Sequence, residues 1–256
     1  MKLQIALSLI VVMLLVGVGA AAAETVYVDG IDGAFPPFSF IDENGDADGF
    51  DVEVIRWIAN EMKFDVEIVP IDWDAIIPTL FTGNIDLIAS GMTITAARQE
   101  RVAFTVPYWT IDLAVVVRQD VDAEGEPVPE LTLFTAVQSG RKIGVQRGTT
   151  SQDWLEEYVV EAGISIELVF YENFLLALED LQIGRIDAAV MDGPTAQSGI
   201  SGQPLAIVGT INTGEIYGYA VRKTDIELLG LLNEGLRRIQ ASDAWQMLVN
   251  KWLVGN

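Results

Sequence analysis

Two stretches of the chain match each other without a gap, and this internal match constrains the fold more than any other feature. Residues 80–91 and 181–192 share Leu, Gly, Ile and Asp at the same positions. Each is typical of a helix end, a glycine stop and a strand that carries the chain to a tip. Helix-glycine-strand order is common in α/β proteins, but identity at four positions favours two similar lobes.

The periodicity around each match predicts alternating strands and helices. In the first half we predict strands Val26–Gly30, Phe64–Val69 and Ile85–Ala89, a helix Asp51–Met62, and a helix from Asp72 or Asp74 through Phe81. In the second half we predict strands Lys142–Gln146, Ile164–Tyr171 and Ile186–Met191, with helices Thr150–Ala162 and Leu175–Ile183. Such alternation implies largely parallel sheets covered by helices.

Two further extended runs, Ile111–Arg118 and Ile216–Val221, are placed to cross between the lobes. The acid-rich stretch Asp120–Glu130 is predicted to be a solvated loop, and helices Ile226–Ile239 and Ala244–Leu253 follow late in the chain. If those helices pack on the first lobe, the two crossings form a hinge beside a cleft. We therefore predict an α/β protein with lobe 1 from residues 24–110 and 218–256 and lobe 2 from residues 111–217.

Composition excludes several kinds of chemistry. The 256 residues contain neither cysteine nor histidine, which excludes thiol nucleophiles, disulfides, Ser-His-Asp triads and the common zinc sites. The formal net charge of -22 argues against a nucleic-acid partner, because phosphate binding requires a basic surface. We predict no catalytic residues, no metal and no cofactor.

The first 23 residues are typical of an export signal. Lys2 precedes an apolar run of about 14 residues, and small residues follow up to Ala23. An uncleaved anchor helix is the alternative, although the run is short for a bilayer, which requires about 20 apolar residues. We expect cleavage after Ala23 and a location in the periplasm or on the extracellular face of the membrane.

Ligands of open α/β sheets bind beyond the carboxyl ends of parallel strands, so the residues after each strand are candidates. In lobe 1 these include an acid, two aromatic residues, a glycine loop with hydroxyl groups, and an arginine whose planar fork suits a carboxylate. Arg101, one turn after Arg98, competes with it, and Phe35 could instead be a core residue. The lobe-1 candidates are Asp32, Phe35, Trp73, Ser90, Gly91, Met92, Thr93 and Arg98.

Lobe 2 offers a second set. Gln146, Thr149 and Thr150 follow the Lys142 strand, and Asp192 follows the Ile186 strand. The threonines are interpreted either as ordinary helix caps or as donors to an anion, and Asp192 either as a cap or as the partner of an ammonium group. Together the two lobes offer groups for an anion, groups for a cation and aromatic walls, which are what a free α-amino acid requires.

The chain resembles family 3 of the bacterial extracellular solute-binding proteins, the polar amino-acid receptors of ABC importers. The resemblance runs from about Val26 to Leu253 and its most specific motif is Ser90-Gly-Met-Thr-Ile-Thr-x-x-Arg98. It also rests on Phe35-Pro-Pro-Phe-Ser-Phe40, Asn44-Gly45 before Gly49-Phe50-Asp51, Gly144-Val-Gln-x-Gly-Thr-Thr150, and Lys251-Trp252.

The resemblance implies a type II periplasmic-binding-protein fold, in which two lobes joined by two hinge strands close on a ligand in the cleft between them. It implies that Arg98 binds the α-carboxylate with both prongs of its guanidinium, with added bonds from Thr93 and from the backbone or hydroxyl of Thr150. Asp192 would hold the α-ammonium with the carbonyl of Ser90 or Gly91. Phe35 and Trp73 would enclose the ligand side chain, with Asp32 and Gln146 at its far end.

The expected function is capture of a basic or neutral polar amino acid by a monomer and its delivery to membrane permease subunits of an ABC transporter. Asp32 argues against an acidic ligand because two carboxylates repel each other in a low-dielectric cleft. The lack of a lipobox cysteine leaves the mode of anchoring open. A dehydratase-type enzyme on the same fold and a sensory ligand-binding domain are the alternatives.

Overall fold

The computed structural model describes residues 25–254. The predicted signal at residues 1–23 lies outside the described residues. Helix and strand bounds agree with the predicted ones to within a few residues in most elements, and the exceptions are given below.

A five-stranded sheet forms the centre of the first lobe, in the order β5-β1-β6-β14-β7. The first three strands are parallel, and β14 is antiparallel to both of its neighbours. Its strands are β1 (Val26–Ile31), β5 (Asp65–Pro70), β6 (Leu87–Ile88), β7 (Val102–Phe104) and β14 (Ala220–Arg222); a small separate sheet holds β2 (Ala34–Phe35), β3 (Ser39–Ile41) and β4 (Ala47–Asp48).

Helices cover this first sheet. The longest early helix, α1 (Phe50–Met62), buries Val54, Ile55 and Ile58 on one face, as the apolar spacing predicts, and packs against the C-terminal helices. The others are α2 (Trp73–Thr82), α3 (Ala96–Gln99), α8 (Ile226–Gln240) and α9 (Asp243–Trp252). Both late helices therefore pack on the first lobe, although more than 100 residues separate them from α1 in sequence.

The second lobe has a sheet in the order β11-β10-β12-β8-β13. Strands β10, β11 and β12 are parallel, and β8 is antiparallel to β12 and β13. Its strands are β8 (Trp109–Val121), β10 (Lys142–Gln146), β11 (Glu167–Tyr171), β12 (Ala188–Asp192) and β13 (Leu205–Tyr217), with β9 (Pro127–Pro129) paired to the end of β8.

Three predictions for this half are wrong. The stretch 120–130 is not a plain loop, because β8 runs on to Val121 and β9 pairs back on it. The predicted helix 150–162 ends early: α5 (Thr150–Leu155) gives way to a π-helical turn, Glu156–Val160. The predicted strand 216–221 is divided between β13 and β14. The remaining helices are α4 (Leu133–Ala136), α6 (Phe174–Gln182) and α7 (Gly193–Gly199).

The two matched segments make equivalent contacts, which confirms the two similar lobes. In the first lobe the Asp86 carboxylate accepts the Val28 backbone N–H at 3.0 Å, and Arg222 donates to the Leu80 carbonyl at 3.0 Å. In the second lobe Asp187 accepts the Lys142 backbone N–H at 2.8 Å, and Arg118 donates to the Leu181 carbonyl at 3.0 Å. The shared Asp side chain thus accepts an equivalent backbone N–H in each lobe, and the backbone carbonyl of the shared Leu accepts an equivalent arginine.

Two neighbouring extended segments carry the chain between the lobes. The Tyr108 N–H donates to the Tyr217 carbonyl at 3.0 Å, and the Thr105 N–H donates to the Tyr219 carbonyl at 2.9 Å. One segment leads into β8 and the other leads out of β13, so both crossings lie side by side. This arrangement places the carboxyl ends of the parallel strands of both sheets around one cleft.

Candidate functional site

A cavity lies in this cleft, and ten of the twelve predicted site residues line it. Ligand pockets occur at such positions because parallel strands deliver their following loops to one edge of the sheet. The lining residues are Asp32, Phe35, Trp73, Gly91, Thr93, Arg98, Gln146, Thr149, Thr150, Phe174 and Asp192.

Arg98 is the cation of the cavity. Thr95 caps the short helix α3 by accepting the Arg98 backbone N–H at 3.1 Å, which fixes where the side chain begins. The guanidinium donates to two backbone carbonyls, those of Thr93 at 2.9 Å and Gly148 at 3.1 Å, and lies 5.4 Å from the Trp73 ring centre. Both named acceptors are neutral, so the positive charge stays available for an anion entering the cavity.

Burial lowers the pKa of Arg98, while the carboxylates of Asp153, Asp192 and Glu215 act in the opposite direction. An arginine side chain remains charged in proteins under either influence. The cavity therefore holds a permanent positive charge beside several negative ones.

Asp192 is the carboxylate on the opposite lobe. It ends β12, is nearly fully buried, and accepts a hydrogen bond from the Tyr217 hydroxyl. Burial raises the pKa of Asp192 to about 7, and this effect exceeds the opposing ones from the Tyr217 bond and the Arg98 charge. A buried carboxylate whose named donor is a neutral hydroxyl can be stabilised further by a cationic group.

Asp32 and Gln146 meet at one end of the cavity. The Gln146 amide donates to the Asp32 carboxylate at 2.7 Å and to the Glu172 carbonyl at 3.0 Å. The other carboxylate oxygen of Asp32 accepts the Ala34 N–H at 2.9 Å. Burial raises the pKa of Asp32, against the lowering effect of the Gln146 bond. Asp32 follows β1 and Gln146 ends β10, so this contact joins the two lobes.

Aromatic rings form the walls. Phe35 and Phe174 come from different lobes, and their ring centres lie 5.8 Å apart. The Trp73 indole N–H donates across the cleft to the Gly148 carbonyl at 3.1 Å. Gly148 thus accepts bonds from both Trp73 and Arg98, and the cleft is closed around the cavity.

Two predicted site residues do not line the cavity. Ser90 is fully buried behind it, where its hydroxyl accepts the Asp32 N–H at 2.9 Å and lies 2.7 Å from the Ser39 hydroxyl. Met92 is also fully buried and packs with Ile76 and Leu80 in the core of the first lobe. Thr93, the residue after Met92, lines the cavity instead, because successive side chains of an extended segment point to opposite sides.

Gly91 brings bare backbone to the cavity wall. Its φ is +54°, and a Cβ there would lie 2.5 Å from the Phe35 ring. Its N–H donates to Asp51 at 2.7 Å, and the hydroxyls of Tyr108 and Tyr219 donate to the same carboxylate at 2.8 and 3.1 Å. Burial raises the pKa of Asp51 to about 7. This network holds the Gly91 turn from behind.

The three threonines of the cavity make internal hydrogen bonds. Thr149 donates its hydroxyl to the Gln146 carbonyl at 2.7 Å. The hydroxyls of Thr93 and Thr150 both donate to one oxygen of Glu215, at 2.9 and 2.7 Å. Glu215 was missing from the sequence candidates because no local motif marks it.

Phe174 was also missed, although a signal existed. It follows β11, so the rule that selected the residues after the other parallel strands would have selected it as well. Within residues 25–254 we find no cluster of three or more acidic side chains able to hold a metal ion, and no helix long and apolar enough to span a membrane.

Comparison with known proteins gives a family and named relatives. The model for bacterial extracellular solute-binding proteins, family 3, matches residues 27–255. The L-arginine-binding protein of Pseudomonas aeruginosa is 33% identical, over 87% of this chain and 86% of its own. The lysine/arginine/ornithine-binding periplasmic protein of Escherichia coli K12 is 31% identical over 96% of each chain. The L-cystine-binding protein TcyJ of the same strain is 28% identical, over 87% of this chain and 80% of its own.

Solved structures agree with these relatives. An ancestral arginine-binding protein bound to arginine superposes with a TM-score of 0.81 and 34% identity, over 90% of this chain and 99% of its own. The ancestral amino acid-binding protein AncCDT-1, a precursor of cyclohexadienyl dehydratase, superposes with a TM-score of 0.79 and 34% identity, over 89% of this chain and 95% of its own. The relatives named above are binding proteins.

Proposed function

The chain belongs to family 3 of the bacterial extracellular solute-binding proteins, and on that premise we propose that it captures a polar amino acid by closing its two lobes and delivers it to an ABC transporter permease. The observation that carries the proposal is that Arg98 and Asp192 line the same cavity from opposite lobes. The α-carboxylate of the ligand binds the guanidinium, and its α-ammonium binds the carboxylate.

The charges around the cavity favour a ligand with a cationic side chain. Arg98 is opposed by the carboxylates of Asp32, Asp192 and Glu215. A zwitterion brings one charge of each sign and leaves this negative excess in place, whereas a basic amino acid reduces it. Asp32 and the Glu172 carbonyl, which now share the Gln146 amide, are acceptors for a guanidinium or ammonium group at the end of the ligand side chain.

A neutral polar side chain is the second choice. Its amide or hydroxyl donates to Asp32 without cancelling the charge. An acidic side chain is disfavoured because it would bring a second ligand carboxylate, in addition to the α-carboxylate, into a low-dielectric cleft that already holds Asp32, Asp192 and Glu215.

Hydrogen bonds and an ion pair that span the cleft support the proposal that the lobes close on the ligand. Trp73 and Arg98 donate to Gly148, Gln146 donates to Asp32, and Arg147 lies 3.7 Å from Asp74. A ligand that touches both lobes stabilises the closed arrangement by its differential affinity for that state. We place lobe 1 at residues 24–110 and 218–256 and lobe 2 at residues 111–217, which the strand membership of the two sheets supports.

We further propose that residues 1–23 direct export, and that the protein works as a monomer in the periplasm or on the outer face of the membrane. Its partner there is the permease. Binding proceeds without a chemical step, so a bound amino acid is recovered unchanged. A dehydratase reaction would require a general acid. We assign Asp192 to the ligand ammonium rather than to a general acid. Mass spectrometry of a ligand incubated with the protein distinguishes binding, which leaves the ligand mass unchanged, from a dehydratase reaction, which lowers it.

A thermal-shift screen of the twenty amino acids tests the proposal, since a ligand that binds only the native state raises its melting temperature. We expect the largest shifts with basic amino acids, and micromolar dissociation constants, about −8 kcal/mol, by calorimetry. The Asp32→Asn variant should lose more affinity for arginine than for glutamine, because only arginine places a charge there. Absence of a shift with every amino acid would contradict the proposal, and equal losses for both ligands would contradict the role of Asp32.

A further inference from the structure

Glu215 occupies a position that no sequence motif marks and that the ligand contacts proposed above do not use. It lies near the end of β13, the strand that returns the chain from the second lobe to the first. Its carboxylate accepts the Thr93 hydroxyl at 2.9 Å and the Thr150 hydroxyl at 2.7 Å, both on the same oxygen. Both threonines line the ligand cavity.

An irregularity in β13 aims this side chain into the cleft. Ile211 pairs with Leu113 and Glu215 pairs with Ile111, so residues 212–214 lie opposite Asp112 alone. Gly214 has φ +61° and donates its N–H to the Asp112 carboxylate at 3.2 Å. Bulges of this kind redirect the next side chain and are frequent beside functional sites.

The two threonines stand on different sides of the hinge. Thr93 pairs with Tyr217, and the neighbouring Ile94 N–H donates to the Ile216 carbonyl at 2.8 Å, so Thr93 is fixed to the hinge segment itself. Thr150 begins helix α5 of the second lobe, and β13 is a strand of the sheet in that lobe. The bond from Thr150 therefore joins the hinge to a helix of the second lobe that faces the cleft.

We propose that Glu215 is a positioning residue for ligand capture, whose carboxylate ties the hinge to Thr93 and Thr150 when the lobes are closed. We call these two hydrogen bonds the Glu215 bridge. The inference rests on the proposed function, because it concerns the closure that holds the amino acid. Breaking the bridge leaves Arg98 and Asp192 in place but lets the closed lobes separate more easily.

The bridge also fixes what the two hydroxyls offer to a ligand. A carboxylate has only acceptors, so each threonine must give its single hydroxyl hydrogen to Glu215. Each hydroxyl oxygen then presents lone pairs to the cavity, which suit an ammonium group and repel a carboxylate. While the bridge is intact, the α-carboxylate is therefore left to Arg98 and to backbone N–H groups.

A double-mutant cycle tests the bridge. We expect Thr150→Val, which removes one charge-assisted hydrogen bond, to weaken arginine binding by roughly tenfold, chiefly through faster dissociation. Glu215→Ala removes both bonds of the bridge and should weaken binding by at least as much. The double variant should lose little more than Glu215→Ala alone, because Glu215→Ala already removes the bond from Thr150. Glu215→Gln keeps an oxygen acceptor in place and should recover part of the affinity. Glu179→Gln and Thr210→Val, on exposed positions of the same lobe, are matched controls that should bind as wild type.

The absence of cysteine allows a second readout. Fluorescent dyes on Glu43→Cys and Ser201→Cys, one exposed site on each lobe, report the closed fraction by energy transfer with and without arginine. The bridge predicts a smaller closed fraction in both single variants and, in the double variant, no decrease beyond that of Glu215→Ala. Additive losses, or an unchanged dissociation rate in Glu215→Ala, would overturn the inference. If wild type bound no amino acid the proposed function would fail, and the ligand-free energy-transfer cycle would still decide the bridge.

Discussion

Lowering the pH from 8 to 5 should weaken amino-acid binding through a single carboxyl group, that of Asp192. Burial raises its pKa to about 7 in the ligand-free protein, with a smaller contribution from Glu215 in the same direction. The Tyr217 hydroxyl and the Arg98 charge favour the ionised form but do not outweigh burial. Because the ligand ammonium binds only the ionised carboxylate, below pH 7 the protein must release a proton in order to bind.

The size of the effect follows from that pKa. Well below it, each pH unit costs a factor of ten in the association constant, about 1.4 kcal/mol. Between pH 8 and pH 5 the affinity should fall by roughly a hundredfold, about 2.7 kcal/mol, whereas little should change above pH 8. No imidazole titrates in this window, because the chain has no histidine.

Calorimetry in buffers of different ionisation enthalpy measures both the affinity and the protons released. At pH 5.5 we expect nearly one proton released per glutamine bound, because Asp192 is then mostly protonated in the ligand-free protein. Asp192→Asn should bind weakly at pH 8 and lose the pH dependence. Asp51→Asn removes a buried carboxyl of similar pKa behind the cavity and should keep it. A flat profile in wild type, or an equal slope in Asp192→Asn, would refute the reasoning.

Three further outcomes are expected. Arg98→Ala should reduce amino-acid affinity by more than about a hundredfold with an unchanged circular dichroism spectrum, since it removes a two-pronged charged contact; unchanged affinity by calorimetry would exclude the carboxylate assignment. Gly83→Ala should lower the free energy of unfolding in urea by about 1–2 kcal/mol, the cost of placing a side chain at positive φ. Gly91→Ala should lower it by more, because its Cβ would also collide with the Phe35 ring. Without ligand, the raised pKa values of Asp51 and Asp192 contribute stability that is present below about pH 4 and is lost as the pH rises through 7. The urea unfolding midpoint should therefore be higher at pH 5 than at pH 8. Asp51→Asn should reduce the difference between the two midpoints.

Sequence reasoning located most of the cavity because the rule behind it is geometric. Residues after parallel strands meet at one edge of a sheet, and Asp32, Trp73, Gln146 and Asp192 were each chosen on that ground. The rule fails within a motif, since it does not say which way each side chain turns. Met92 therefore points into the core of the first lobe while Thr93, the next residue, lines the cavity.

Local patterns also failed where neighbouring segments set the structure. The acid-rich stretch 120–130 has loop composition, yet β9 forms because β8 extends far enough to offer it an edge. The run 216–221 is uniformly strand-like in sequence, but the chain changes sheets at Gly218 and Tyr219 and divides it. In each case the partner strand is distant or follows a turn, so no short window contains the deciding information.

By itself the sequence determined the two-lobe plan, the lack of histidine and cysteine chemistry, and the residue types at the strand ends, because these depend on periodicity and composition. Only the tertiary structure decided the partners. It paired Asp32 with Gln146, 114 residues away, left the Arg98 guanidinium on neutral carbonyls, and brought Glu215 to Thr93 across 122 residues. Such contacts depend on how two sheets face each other across the hinge, which no local pattern of residues specifies.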